Sequence, residues 1–385
     1  MSMNITARAF YQICEKITAG TLLVIAPDGA KNTFGNGEPH ATVQIHDWKF
    51  LRILMARGDI GLGESYTEGL WDSPDIESLI LLILQNDTHT FGVGRGSQLQ
   101  RFAFLVKDRL FRRNSRAGSK KNISAHYDVG NDFYSLWLDE TMTYSSALYQ
   151  DDNESLEQAQ QNKYDRLIRK IDPSSDHVLE IGCGWGGFAE RATYKGLDVT
   201  AITVSNAQRE FAQNRLGNRA KIQLTDYRDI KGKFDAIVSI EMVEAVGIRY
   251  WPEYFKVLKS RLADGGSIAL QSIIVEDEYF DSYKSKSDYI RQYTFPGGML
   301  INPKSITKHA KAAGLKAQNM HRFGQDYART LREWMHRFNM AEDQIRKLGY
   351  DEAFLRSWRY YLQLCAASFA NNKRTNVVHV ELCHA

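Results

Sequence analysis

The segment VLEIGCGWGGFAERA, starting at Val178, passes from an apolar run through a cluster of glycines into a helical pattern. Gly182, Gly184 and Gly187 fit the spacing G-x-G-x-x-G, with Gly186 beside them. Glycines there let the backbone approach a ligand closely, and a helix start offers free N–H groups. The spacing alone is weak, because a ligand-free turn can carry it too. The next apolar run discriminates between ligands. A dinucleotide enzyme places an acid near the end of its second strand for the ribose hydroxyls. Here VTAITVSNAQ offers Thr203, Ser205, Asn206 and Gln208 and no acid, and no P-loop lysine follows the glycines. Asp226, in TDYRD, is placed to accept a hydrogen bond from an adenine amino group. Glu180, at the end of the first strand, is placed to face a sulfonium and its amino-acid tail. S-adenosylmethionine therefore fits these residues better than a nicotinamide dinucleotide.

A second constellation follows in EMVEAVG, where Glu241 and Glu244 are three residues apart. On a helical turn they would face the same way. Two carboxylates forced together separate their pKa values, one staying charged and one protonated, which suits proton abstraction. Glu241 has two open roles: a base partnered by Glu244, or a hydrogen-bond partner of a cofactor group or backbone amide.

The elements that must hold these groups are readable from about residue 122 onward. HVLEIGCG, VTAITVS, AKIQLTDY, FDAIVSIE and GGSIALQSIIV are short apolar strands separated by helical or turn material. That alternation predicts an α/β, Rossmann-like domain over 122–385, a parallel sheet with helices on both faces. Asn131 and Asp132 read as a helix start, while His126 and Asp128 could order the adjoining loop. The stretch of about 275–330 is rich in Tyr, Phe and Lys, and additions after such strands commonly build a substrate pocket. It could act as a lid whose aromatic residues suit a long apolar ligand and whose lysines meet phosphate groups, or as a lid without that polar contact.

Residues 1–95 predict a small mixed α/β domain, with strands in TLLVIAPDG and ATVQIHDW and helices in WKFLRILMARG and IESLILLILQN. The glycines of GDIGLGESYTEGLW (58–71) suggest tight turns between those helices. A connector at 96–121 carries eight Lys or Arg against Asp108, and Leu99, Phe102, Val106 and Leu110 give it one apolar helical face. It could lie on an anionic membrane or dock between domains with its charges solvated.

Bulk properties narrow the class. A chain of 385 residues exceeds one ordinary core, and 43% hydrophobic with 25% charged residues is globular composition. The net charge of +3 gives no case for nucleic acid. Cys14, Cys183, Cys365 and Cys383 lack pairing or metal-ligand spacing, as do His321, His379 and His384, so no metal site is expected. MSMNITARAF lacks the basic and apolar regions of a signal peptide, and the longest apolar run, Leu79–Leu84, is far short of a membrane span. The expected location is cytoplasmic.

The sequence resembles the cyclopropane-fatty-acyl-phospholipid synthases and related lipid methyltransferases. The likeness rests on GLGESYTEGLW, AHYDVGNDFYSLWL (125–138), MTYSSALY (142–149), EIGCGWGG, TVSNAQ, DYRD, MVEAVG, YTFPGG (293–298) and FGQDY (323–327), in the family's order over most of the chain. The resemblance implies a class I methyltransferase fold and a methyl transfer to the double bond of an unsaturated fatty acyl chain of phospholipid. A subgroup of such enzymes makes methylene- or methyl-branched rather than cyclopropane chains. It places Tyr144, Ser145, Gly182, Gly184, Thr203, Gln208 and Asp226 at S-adenosylmethionine, with Trp185, Gly186 and Tyr227 beside them. It places Glu244, Tyr327 and Ile273 in a centre where a bicarbonate ion acts as base. Two residues of that centre depart from the family: Ser146 stands where many members have Cys, and Gln271 where they have His. Glu241 stands where a small residue is usual. These changes put the bicarbonate and the product in question rather than methyl transfer. The resemblance also implies a homodimer, a peripheral position on the inner face of the membrane and, for a saturated methyl branch, a downstream reductase. A small-molecule N-methyltransferase, and a lipid-binding relative that no longer catalyses, are the alternative readings.

The chemistry suits these residues. An isolated alkene is a poor nucleophile, so its alignment with an electrophilic methyl group matters, and near-attack positioning contributes on the order of 7–11 kcal/mol. Aromatic faces stabilise the resulting carbocation by about 2 kcal/mol when desolvated. Tyr144, Trp185, Tyr293, Phe295 and Tyr327 are candidates for that role, or for plain packing. A proton must then be lost. Its departure from the added methyl closes a cyclopropane, and its departure after a hydride shift leaves a methylene branch.

Overall fold

The computed structural model describes residues 5–86, 129–171 and 176–385. The connector at 96–121, with His126 and Asp128, lies outside the described residues.

The N-terminal part begins with α1 (Ile5–Cys14), β1 (Gly20–Ile25), β2 (Lys31–Asn36) and β3 (His40–Ile45). It continues through α2 (Lys49–Thr67), β4 (Trp71–Asp72) and α3 (Ile76–Asn86). The strands form one sheet in the order β2-β1-β3-β4. Alternation along β3 buries Ala41, Val43 and Ile45, and α3 buries Ile76, Leu79, Ile80 and Leu82.

The expectation of tight turns at 58–71 holds only at its end, where Gly69 (φ 73°) closes a turn after α2; the helix itself runs through 59–67. Within α2 only Gly58 is non-helical (φ 59°, ψ −135°), and it kinks the helix. Gly63 serves close packing. A Cβ there would lie 2.4 Å from the ring of Tyr289 and 2.6 Å from that of Tyr360, both from the C-terminal half.

The two halves therefore share a core, in which Tyr289, Tyr360 and Ala367 join Leu22, Val43 and Trp71. Polar ties flank it. Arg356 donates to Tyr66 O (2.6 Å) and Trp71 O (2.9 Å) and pairs with Asp72 (2.8 Å). Gln363 Oε1 accepts from Ile76 N (2.9 Å) and Glu77 N (3.3 Å), capping the start of α3.

The main sheet is assembled from α4 (Asn131–Ser135), α5 (Leu156–Ile168), β5 (His177–Ile181), α6 (Gly187–Tyr194), β6 (Asp198–Thr203), α7 (Asn206–Leu216) and β7 (Lys221–Leu224). Then come β8 (Phe234–Ile240), α8 (Val243–Val246), α9 (Trp251–Arg261), β9 (Leu262–Val275), α10 (Asp277–Lys284), a π-helical turn (Ile290–Thr294) and α11 (Pro303–Ala312). The chain ends with β10 (Leu315–Arg322), α12 (Gly324–Met340), α13 (Glu342–Lys347), α14 (Glu352–Asn371) and β11 (Thr375–His384). Strand order is β10-β11-β9-β8-β5-β6-β7. The strands from β7 to β9 are parallel, whereas β11 runs antiparallel to both β9 and β10.

Order reverses between β5 and β8, and the carboxyl ends flanking such a switch point form a crevice for ligands. The run 303–322 belongs to the fold itself as α11 and β10, so the cavity-lining part of the expected 275–330 lid stops near Leu300 before Tyr327 returns on α12.

Candidate active site

A cavity of about 610 Å³ opens over the carboxyl ends of β5, β6 and β8. Strand β5 is buried throughout its last four residues, which fixes the direction of the turn that follows. Gly182 (φ 84°) and Gly184 (φ 52°) adopt left-handed conformations, and among the described residues, chain neighbours apart, no atom lies within 4 Å of where a Gly184 Cβ would be. That bend is an open cradle. Gly186 (φ 87°) does not line the cavity. It precedes α6 and packs against Ala212 and Leu216 of α7, so its glycine serves helix packing rather than ligand approach.

Tyr144, Ser145, Glu180, Trp185, Thr203, Gln208, Asp226 and Tyr227 all line the cavity. Thr203 Oγ1 donates to Gln208 Oε1 at 2.8 Å, and Trp185 Nε1 to Asn131 Oδ1 at 2.8 Å. Both oxygens of Asp226 are held by Arg228 at 2.7–2.8 Å, which orients a carboxylate whose lone pairs suit a ligand donor. Glu180 is buried with its Oε2 unpartnered, and burial pushes its carboxyl up to about 8.

These features fit S-adenosylmethionine. The open bend suits close approach, and the Glu180 oxygen lacking a protein partner suits the donor's cationic tail. Among the described residues no cluster of three His, Cys, Asp or Glu side chains could hold a metal ion.

At the neighbouring strand end, Glu241 and Glu244 are brought together differently from a shared helical turn. Glu241 follows β8 in a left-handed conformation (φ 50°), outside the short helix that carries Glu244. The Glu241 carboxylate takes three hydrogen bonds: from Ser146 N (2.9 Å) and Gln271 Nε2 (2.8 Å) on Oε1, and from Tyr327 OH (2.8 Å) on Oε2. The amide bond is one of the two roles anticipated for this side chain, and the other two donors extend it.

Glu244 accepts from Ser272 Oγ (2.9 Å) and from Ile273 N on Oε1, while its Oε2 is buried without a partner. Burial and the Glu241 charge push the Glu244 carboxyl up to about 8. Burial also raises Glu241, but its three donors and Lys163 oppose that rise. Charge on Glu241 thus adds to burial in favouring the protonated form of Glu244.

Ser146 and Gln271 do not line the cavity and act on it through Glu241; the Ser146 hydroxyl is turned to Ala147 O (2.9 Å). The groups that the resemblance assigns to a bicarbonate ion do not fit one here. Three of them, at Ser146, Gln271 and Tyr327, are already donating to Glu241.

Ile273 and Phe295 line the cavity. Tyr293 does not: it is 49% exposed, and its hydroxyl bonds Glu64 of α2 on the outer side. Its expected place against substrate is corrected, because the π-helical turn directs Tyr293 outward while Ile290, Arg291 and Phe295 face in.

Two functional neighbours carry no local signal in the sequence. Lys163 of α5 is fully buried, donates to Ser145 Oγ at 2.7 Å, and counters the charges of Glu241, Asp139 and Glu180, with burial lowering its own pKa. His379, which lacks metal-ligand spacing, faces Gln271 across the β11–β9 pairing. Its Nε2–H donates to Gln271 Oε1 at 2.8 Å, so the Gln271 amide must aim its N–H at Glu241. Burial and the nearby cationic groups lower the His379 pKa, keeping the ring neutral.

The profile of the mycolic acid cyclopropane synthetase family matches residues 114–380. Tuberculostearic acid methyltransferase UfaA1 of Mycobacterium tuberculosis is 36% identical over 364 residues, covering 90% of this chain and 84% of that protein. The cyclopropane-fatty-acyl-phospholipid synthase of Escherichia coli K12 is 33% identical over 344 residues, covering 87% of this chain and 86% of its own. Among solved structures, mycolic acid cyclopropane synthase CmaA1 complexed with SAH and CTAB is similar at TM-score 0.63 and 26% identity, over 68% of this chain and 97% of that one. Coclaurine N-methyltransferase, at TM-score 0.62 and 19% identity over 84% of this chain and 97% of its own, shares the fold.

Fold and glycine bend define a class I, S-adenosylmethionine-dependent methyltransferase, and the family relatives make it one acting on carbon. The chain belongs to the mycolic acid cyclopropane synthetase family.

Proposed function

We propose that Glu241 is the base of a methyl transfer to the double bond of an unsaturated fatty acyl chain in phospholipid. The observation that carries this reading is the Glu241 carboxylate, held by three donors in the wall of a cavity otherwise rich in aromatic and aliphatic side chains. S-adenosylmethionine, when bound, supplies an electrophilic methyl group. The glycine bend and Glu180 hold that donor, and Tyr144, Phe295 and Ile273 align the acyl chain. The alkene π pair forms the new C–C bond as the S–C bond breaks, leaving a cation on the acyl chain. Ring faces of Tyr144 and Phe295, stacked at 6.4 Å, shield it from water. Glu241 then takes a proton, either from the added methyl, giving a cyclopropane, or after a hydride shift, giving a methylene branch. The Tyr327 hydroxyl and the Gln271 amide fix the carboxylate during that transfer, and burial beside Glu241 favours the protonated form of Glu244.

Family membership supports a bilayer surface as the place of work, a peripheral position on its cytoplasmic side, a homodimer and, for a methylene product, a separate reductase. No helix of the described residues is long and apolar enough to cross a membrane. Mass and NMR spectra of phospholipids from a host expressing the chain test the reading. A gain of one methylene unit with ring protons or with new olefinic signals supports it, and unaltered acyl chains would overturn it.

A further inference from the structure

The cavity does not end within the methyltransferase half. Leu62 of α2 and Ile80, Ile83 and Leu84 of α3 line it as well, together with Asp59. The family profile begins at residue 114, and CmaA1 matches 68% of this chain over 97% of its own length. The wall thus lies outside the part of the chain that the family profile matches. Here the wall is fixed in place. Gly63 brings α2 into contact with Tyr289 and Tyr360, the two halves share one apolar core, and Arg356 and Gln363 tie both ends of the contact. Beside it stand Tyr361, Leu364 and Ser368 of α14, the helix that packs on α3, and the Tyr361 hydroxyl pairs with that of Tyr144 at 2.9 Å.

Resting on the function proposed above, we propose that α3 supplies the subsite for the methyl-terminal segment of the acyl chain, so that the N-terminal part of this enzyme measures how far the chain extends beyond its double bond. The chemistry of the wall selects that segment. Ile80, Ile83 and Leu84 offer only aliphatic surface, which the hydrocarbon end can cover without stranding a polar group. The headgroup end needs charged or hydrogen-bonding partners, and α3 offers it none at these positions; the charged groups nearby, Asp59 and the Asp288–Arg291 pair, belong to α2 and the segment entering the π-helical turn. A rigid wall discriminates length because each methylene gained or lost against it is worth about 0.8 kcal/mol, so two methylenes correspond to about a fifteen-fold preference.

Three phospholipid probes separate the two ends of the chain. Oleoyl chains carry two more methylenes beyond the double bond than palmitoleoyl chains, whereas vaccenoyl chains carry two more before it. Full-length Ile83→Trp and Leu84→Trp narrow the subsite. The oleoyl-to-palmitoleoyl ratio of kcat/KM should fall about ten-fold, while the vaccenoyl-to-palmitoleoyl ratio and S-adenosylmethionine affinity by calorimetry stay at wild-type values. Should the tryptophan variants fail to fold, Ile83→Ala widens the subsite and should move the first ratio the other way. A first ratio that does not move, a change confined to the vaccenoyl comparison, or an equal loss on all three lipids would overturn the proposal. A wild-type enzyme that binds the donor yet methylates none of the three would refute instead the function on which it rests, removing the substrate that α3 would measure.

Discussion

Replacing Glu241 by Gln separates proton abstraction from structure with one atom. Ser146 N and Gln271 Nε2 both donate to the same oxygen, Oε1, which the carbonyl of the substituted side chain reproduces. The new amide nitrogen then meets the Tyr327 hydroxyl, which turns from donor to acceptor, so the hydrogen-bond count is kept. Fold stability should change by no more than about 1 kcal/mol, the net worth of one ordinary hydrogen bond. The amide cannot take a proton, and a positioned base contributes about a hundred- to ten-thousand-fold. Turnover should therefore drop by that factor while S-adenosylmethionine affinity is kept. Glu241→Gly differs informatively. The left-handed φ of 50° suits glycine, and its three released donors can receive a small anion. Added bicarbonate should restore part of the activity of Glu241→Gly and none of that of Glu241→Gln. The assay is transfer of a labelled methyl group to oleoyl phospholipid in vesicles, with and without bicarbonate. Wild-type turnover by Glu241→Gln, or its recovery with bicarbonate, would refute the reasoning.

Three further outcomes follow from the same geometry. Burial raises the Glu244 carboxyl from 4.5 to about 8, so the folded state binds this proton more tightly than the unfolded chain. Its contribution to stability is full below pH 4.5 and is lost as pH rises towards 8; Glu244→Gln should flatten the fall in Tm over that window. Gly63→Ala should cost about 1–3 kcal/mol in chemical denaturation, because its Cβ meets the rings of Tyr289 and Tyr360 well inside contact distance. His379→Phe removes the donor that pins Gln271, and should lower kcat about ten-fold with donor affinity unchanged. His379→Gln, which can restore an N–H, should recover part of that loss.

Much of the architecture is legible because β5, β6, β8 and β9 are buried along most of their length and read as predominantly apolar runs. Strand β10, LKAQNMHR, is half exposed at the sheet edge and carries little such signal. The glycines of α2 suggest turns because a glycine that permits close packing has the same letter as one that permits a bend. The spacing of Glu241 and Glu244 correctly suggests an interacting pair, but the left-handed residue at the strand end sets their geometry, and no local pattern announces it. Lys163 and His379 are invisible for a different reason. Each acquires its role from groups far away in sequence: Lys163 from Ser145, Glu180 and Glu241, and His379 from the register that sets it opposite Gln271.

In the proposed mechanism one cavity joins a methyl donor at the Gly182–Gly184 bend to a lipid alkene beside Glu241. The most direct measurement supplies purified protein with S-adenosylmethionine labelled at the methyl carbon and vesicles of unsaturated phospholipid, then locates the label by NMR. The label should appear within the acyl chain, at a former double-bond carbon. Label that stays in the donor, or that appears on the headgroup nitrogen, would contradict the account.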